Sequence, residues 1–402
     1  MAKGECGEAV MFSMKILVAV GEACGADRLV EVSRCHVMTS MAPDIQHARI
    51  DLLEKFASAG GKYIVPTTVD PASLDLEHWR EFKTPSDYYR SAMKLLQLNR
   101  RLGAIPNYSC IPYEQGLAPS FGEMVSFTES SYVAFANSVI GARANRESQG
   151  IAVSAGITGK APLYGLRLKE NRHGDVHVKL KGLDSSSFDD SDYAVLGYHL
   201  GANLGHEIPV IDGIKPGITI DQLKALGASV ACKGSVAMYH IVGISPEARS
   251  RQEAFGGEKP KDVLEVDANA LKRTREEIST VSGGKIDAVL VGCPHYSVFQ
   301  IGKLAHQLEG KKVSTNVKFF LYTCQEAKAL GEQMGYIKTI EKAGAHVSVG
   351  TCMTLSPMKY WGFKTIMTDS PKCAYTCPVD IGANVIFGTI DQCVRAAVRG
   401  IA

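Results

Sequence analysis

No apolar stretch of this sequence is long enough to cross a membrane; the longest early run, Met14 to Val20, falls well short of the roughly 20 residues a spanning helix needs. A signal peptide is not indicated either, because Glu5 and Glu8 stand where its first segment would be basic. The sequence has no basic block and no basic amphipathic stripe, and its formal net charge is only +2. Without such a surface to neutralise phosphates, the main argument for a nucleic-acid partner falls away. Also missing are a glycine-rich phosphate loop, an internal repeat and a low-complexity linker. What remains is the expectation of a small-molecule partner in a cytoplasmic setting, with no nucleic acid and no membrane involved.

Cysteine is plentiful. The chain has eleven, without close pairing motifs, and in a sequence this long that usage fits a reducing compartment better than a disulfide scaffold. Several thiols are therefore free for metal, against the ordinary alternative that a free cysteine is a small core residue. With 402 residues, 45% hydrophobic and 21% charged, two or three packed domains are expected.

The pattern predicts a helix over Gly7 to Ala23 stopped by Gly25, a strand over Lys62 to Pro66, and a polar helix from about Pro85 to Leu102 ended by Gly103. Glu170 to Asp192 mixes turn residues with an alternating run at Val176 to Leu180, which reads as a hairpin at a sheet edge. Ile220 to Leu226 reads as helix, Val236 to Val242 as strand, and Arg249 to Glu258 as a solvated loop. In the final third, strands rich in Val, Ile and Phe alternate with helices: Ile286 to Val291, Val317 to Tyr322, His346 to Val349, Thr365 to Met367 and Asn384 to Phe387. That is a parallel α/β pattern. Its last helix opens on a capping box, Thr389 and Gln392. Internal cuts fall at 1–165, 166–280 and 281–402.

Parallel units deliver every post-strand loop to one carboxyl edge. Cys293 in Gly-Cys-Pro-His, Cys324, Cys352 in Gly-Thr-Cys-Met and Cys373 all follow such strands. The fold can thus collect thiols that are far apart in sequence, and soft thiolates select iron-sulfur clusters or zinc. Cys293 lies in a Gly-Pro turn that should expose it, with His295 beside it as a candidate proton donor; the plain alternative is that His295 caps the next helix.

A second constellation runs from Tyr108 to Gly165: Ser-Cys-Ile-Pro-Tyr at Ser109 to Tyr113, Phe121-Gly122-Glu123, Glu129-Ser130-Ser131, Asn137-Ser138 and Gly141 to Glu147. Arg143 and Arg146 can clamp a carboxylate, while acids, amides and hydroxyls can hold a metal or position a hydroxyl group. The bland alternative makes Arg143 and Glu147 an i,i+4 surface pair on a helix.

At these motifs the sequence resembles the aconitase X catalytic family, the dehydratase branch of the aconitase superfamily. Further matches are Gly25 to Leu29, Val-Pro-Thr-Thr-Val-Asp-Pro at Val65 to Pro71, Ile157 to Lys160, His240 to Ala248 and Thr-Cys-Met before Ser-Pro. The resemblance implies an aconitase-like multi-domain α/β architecture with parallel sheets and the site at their interface. It implies that Cys110, Cys293 and Cys352 hold an iron-sulfur cluster, 4Fe-4S or 2Fe-2S, or a mononuclear iron, with Glu123, Glu129 and Glu147 as further candidates for iron or substrate contact. Ser130, Ser131, His240, His295 and Lys372 become candidate catalytic groups, and Tyr113, Asn137, Arg143, Asn145, Arg146 and Ser370 candidate substrate-binding groups. In the general aconitase scheme iron takes the leaving hydroxyl while a base, usually a serine on a swivelling last domain, removes the neighbouring proton. Here a separate small subunit is expected to supply that domain and its serine. Two departures stand out: the stretch Asp369 to Pro378 in place of the family's usual loop, and Lys233 in a run of small residues.

The family includes dehydratases of cis-3-hydroxy-L-proline and of 5-phosphomevalonate; the first is the lead expectation and the second the alternative. A non-catalytic iron-sulfur redox protein is the reading from another class, and it is disfavoured because arginine, histidine and hydroxyl groups surround the cysteines. A zinc site is a third possibility.

Overall fold

In the computed structural model, residues 1, 4–38 and 46–402 are described, with the side chain of Gln46 left aside. Three fully parallel sheets carry the architecture. The first has the order Thr67–Val69, Arg34–Val37, Val125–Phe127; the second His240–Ile241, Pro209–Asp212, Val176–Leu180, Asp262–Val266; the third Ala345–Val349, Lys318–Thr323, Ala288–Tyr296, Thr365–Thr368, Asn384–Phe387. A small antiparallel pair, Leu29–Glu31 with Lys160–Pro162, stands apart. The fold is α/β.

The third sheet follows the apolar runs closely, because strands buried on both faces by flanking helices read as near-continuous Val, Ile, Leu and Phe. Val289, Val291, Phe319 and Leu321 face one core cluster, while Ala288, Leu290, Phe320 and Tyr322 face another. The capping box at Thr389 and Gln392 opens Ile390–Arg399 with both reciprocal bonds present. Ser86–Leu102 ends where Gly103 turns left-handed at φ 94°, its N–H donating to Arg100 and Asn99 carbonyls.

Four expectations are corrected. Lys62 to Pro66 is irregular; pairing starts only at Thr67–Val69, past a proline that has no N–H to give a ladder. Val176–Leu180 is an interior strand, parallel to both neighbours, so the turn residues before it serve a crossover and not a hairpin. Of Val236 to Val242 only His240–Ile241 is strand. Arg249 to Glu258 contains a Ser250-capped turn of helix, Arg251–Ala254, and buries Ala254 and Phe255 against Val210 and Ala248.

Candidate active site and thiol centre

The third sheet's central strand breaks register at its carboxyl end. Val291 pairs with Leu321, yet the next pair is Tyr296 with Thr323, so residues 292–295 bulge away from the ladder. Gly292 makes this possible: its φ is 103°, and a Cβ there would sit 2.2 Å from the Tyr322 carbonyl oxygen. On this bulge the Cys293 thiol meets the hydroxyl of Ser370, from the loop after Thr365–Thr368 of the same sheet. Ser370 also caps the helix Pro371–Asp380 by accepting from the Cys373 N–H at 3.2 Å.

Cys110 and Cys352 arrive from two other loops. Ser109 donates its N–H to the Val69 carbonyl, which places Cys110 beyond the first sheet's edge, and the Cys110 sulfur accepts the His295 N–H at 3.4 Å. Cys352 donates its N–H to the Ala72 carbonyl at 2.7 Å, and Ala72 in turn donates to Gly350 at 2.7 Å. Cys293 lies within electrostatic reach of both other thiols, Cys110 and Cys352. Burial first, then Glu129 and Cys293, pushes the Cys110 thiol well up; burial, eased by Lys372 and worsened by Cys352, does the same to Cys293; burial also raises Cys352. Three such thiols gain thiolate character only beside strong positive charge, which a soft metal supplies. The donor set therefore fits an iron-sulfur centre.

Around the sulfurs lies a ring of acid and base groups. Glu129 caps Ser130–Phe135 by accepting the Tyr132 N–H at 2.5 Å and takes the Ser131 hydroxyl at 2.6 Å. Lys372 donates to its other oxygen at 2.7 Å and reaches the Ser130 hydroxyl at 3.5 Å. Burial works against both charges, but their attraction prevails: Glu129 lies below the usual carboxylate range and Lys372 above the usual lysine range. Tyr113 stacks on Phe135 at 3.8 Å, its hydroxyl pushed well up by burial and by neighbouring Glu114 and Cys110. His295 donates from Nε2 to the Thr351 carbonyl at 2.8 Å, and burial pushes its pKa down to about 4. The imidazole is neutral, with a buried, unpartnered Nδ1. That corrects the proton-donor reading, since its one N–H is committed to a carbonyl; Ser297, not His295, caps the next helix.

Three groups at the site escaped the sequence reading. His36, in the first sheet, contacts Asp70 at 2.7 Å through Nε2 and Thr68 at 2.8 Å through Nδ1. Burial raises the Asp70 carboxyl, with His36 partly offsetting it, and Asp70 shares charge interactions with Glu129, Lys372, Cys110 and Cys352. Arg49 stands beside Asp70 as well. The available signal was an acid directly after the strand Thr67–Val69, inside a motif already matched.

Other candidates go elsewhere. His240 is buried in the second domain, its Nε2 on the Arg172 carbonyl at 2.7 Å. Asn137 bonds Ala144, Ala237 and Arg172, and Asn145 bonds Tyr164 and Leu166, so both amides hold backbone in place. Arg143 reaches the Arg167 carbonyl at 3.2 Å, whereas exposed Arg146 reaches Gly234 at 3.3 Å; no two-arginine clamp forms. Glu123 pairs with Ser33 and Arg34 nearer the surface. Glu147 is sealed against Arg167, with both side chains 0% exposed. Arg143 and Glu147 are not on a helix, so the i,i+4 alternative fails too.

Comparison with known proteins gives this site its class. Models of the aconitase X first, second and third domains match residues 1–170, 174–276 and 286–399. The chain is 34% identical over 395 residues to the phosphomevalonate dehydratase large subunit of Methanocaldococcus jannaschii, covering 98% of this chain and 96% of that one. It is 33% identical over 400 residues to the cis-3-hydroxy-L-proline dehydratase of Pseudomonas aeruginosa, covering 99% of this chain and 68% of that one. A crystal structure of Thermococcus kodakaraensis aconitase X in its holo-form superposes with a TM-score of 0.88 at 34% identity, over 98% of this chain and 97% of that one. The chain belongs to the aconitase X family, and it is a dehydratase of the hydro-lyase class. No helix among the described residues is long and apolar enough to cross a membrane.

Proposed function

We propose that this chain is the large catalytic subunit of a cytoplasmic dehydratase in which Cys110, Cys293 and Cys352 hold an iron-sulfur centre, with cis-3-hydroxy-L-proline as its lead substrate. What supports the reading is that the Cys293 thiol interacts with both Cys110 and Cys352, near the Glu129–Lys372 pair and Asp70. When bound, the centre supplies a Lewis acid for the departing hydroxyl. The balance is simple: a proton leaves one carbon, hydroxide leaves the next, a double bond forms between them and no electron is exchanged.

The chain's own groups serve orientation and proton handling. Lys372 offers its ammonium to the substrate carboxylate, and Glu129 and Asp70 suit a cationic amine. His36 and Asp70, 2.7 Å apart, are the pair suited to proton handling near the leaving oxygen. Neutral His295 presents Nδ1 as an acceptor. Tyr113, Ser130, Ser131 and Ser370 line the same space. A partner small subunit with a swivelling domain brings the serine that takes the carbon-bound proton; relatives named as large subunits support that pairing.

Charge favours the amino acid. Lys372 and Arg49 are matched by Glu129 and Asp70, a balance that suits a zwitterion better than a phosphate-bearing acid. The phosphomevalonate reading has its own support, because this chain covers 96% of one large subunit of that name but 68% of a hydroxyproline dehydratase. Anaerobic co-production with the small subunit, followed by assay of both compounds for loss of water, decides between them. Turnover of cis-3-hydroxy-L-proline at least about tenfold above 5-phosphomevalonate in kcat/KM, ~1.4 kcal/mol of discrimination, is expected. Turnover confined to 5-phosphomevalonate would reverse the assignment.

A further inference from the structure

A second set of ligand atoms lies away from the thiols. Asp75, His78 and His346 place one carboxylate oxygen and two ring nitrogens all within 4.8 Å of one another. The first two belong to the segment between Thr67–Val69 and Ser86–Leu102, and His346 to the strand Ala345–Val349 of the third sheet. Cys352 lies past the opposite, carboxyl end of that strand.

The carboxylate is held in place before any ion arrives. Asp75 Oδ1 accepts the Glu77 and His78 N–H groups at 3.0 and 2.8 Å, while Oδ2 accepts the Ser348 hydroxyl at 2.9 Å and faces His346 Nε2 at 2.9 Å. Such outer bonds orient a metal-binding carboxylate. His78 Nδ1 then comes to 3.3 Å from Oδ1, an oxygen whose lone pairs already serve two backbone donors. A third donor is surplus there, whereas a cation on Oδ2, taking the place of the His346 contact, gives both imidazoles and the carboxylate a shared partner. The two imidazoles stand nearly perpendicular, with centroids 4.7 Å apart, and Phe82 at 5.0 Å and Phe320 at 5.6 Å wall His346 in place. The side chains of Asp75, His346 and His78 are 7%, 23% and 37% exposed, so the site is closed beneath and open at His78.

We propose that Asp75, His78 and His346 bind a zinc-class divalent ion, with water completing a four-coordinate shell. One carboxylate and two neutral imidazoles leave the site with one net positive charge. The ion joins the first domain's segment to the third domain's sheet. That segment also carries Ala72, whose backbone bonds to Gly350 and Cys352, so the ion steadies the loop bearing one of the three thiols from its far side.

The test uses the intact, iron-loaded chain, washed with a mild chelator and titrated with zinc alone and, separately, with cobalt alone. One equivalent of zinc should bind and raise the melting temperature. His346→Gln and His78→Ala should each weaken zinc binding at least about tenfold with iron content unchanged. His78 sits on a partly exposed turn, so its variant keeps the test alive should the His346 variant fail to fold. Cobalt should give a nitrogen-and-oxygen-type spectrum without a thiolate charge-transfer band. No zinc uptake at micromolar concentration, equal uptake by the folded His78→Ala chain, or a thiolate band from cobalt would overturn the assignment.

Discussion

Changing Cys293 to serine should strip the iron from this chain and lower dehydration by about a thousandfold or more, the scale expected when several kcal/mol of Lewis-acid stabilisation is lost. A serine hydroxyl does not ionise at neutral pH and is a hard, poor match for iron-sulfur chemistry. The fold should survive, because Cys293 sits on a bulge created by Gly292 and the swap is nearly isosteric. Cys324→Ser is the matched control. Cys324 is buried at the start of Gln325–Gln333, among residues of the third domain's core. Iron per folded chain, read together with turnover, should collapse in the first variant and persist in the second. Equal iron in both would remove Cys293 from the ligand set.

Glu147→Gln should cost about 3–5 kcal/mol of stability, the usual penalty for leaving a buried charge without its counterion. Arg167 donates to Glu147 at 2.7 and 3.0 Å, to the Val125 carbonyl at 2.6 Å and to Pro162 at 3.3 Å, and Ser126 adds a hydroxyl to the carboxylate. Glutamine keeps the shape and some hydrogen bonds but cannot offset a guanidinium with no access to water. A lower denaturant midpoint for the first unfolding transition, with iron per folded chain unchanged, is the expected outcome. Lost iron at unchanged stability would return Glu147 to the list of iron contacts.

That residue shows where sequence alone misled. The polar density between Glu123 and Glu147 suggested a substrate clamp, yet much of it is spent within the protein: Asn137 serves the Ala144 and Ala237 backbone, Asn145 serves Tyr164 and Leu166, and Glu147 neutralises Arg167. Composition does not distinguish polar groups that hold a loop from polar groups that hold a ligand. The third sheet was legible because its strands are apolar and alternate regularly with helices. Once they are parallel, the loops carrying Cys293 and Cys352 must share one edge. The first sheet was not legible, since its strands are three or four residues long and Thr67–Val69 hides behind a proline. The His36–Asp70 pair was hidden for the same reason, its members being 34 positions apart and joined only by strand pairing. Lys372 was named from a loop that departs from the family's usual one, and its partner Glu129, 243 positions away, could be assigned only from the fold.

An anomalous difference map at the iron edge, from crystals of the anaerobically reconstituted chain, bears most directly on the thiol centre. The account predicts iron density bounded by the sulfurs of Cys110, Cys293 and Cys352, facing Asp70 and Lys372. Iron density elsewhere, or none between those three sulfurs in a fully active preparation, would contradict it.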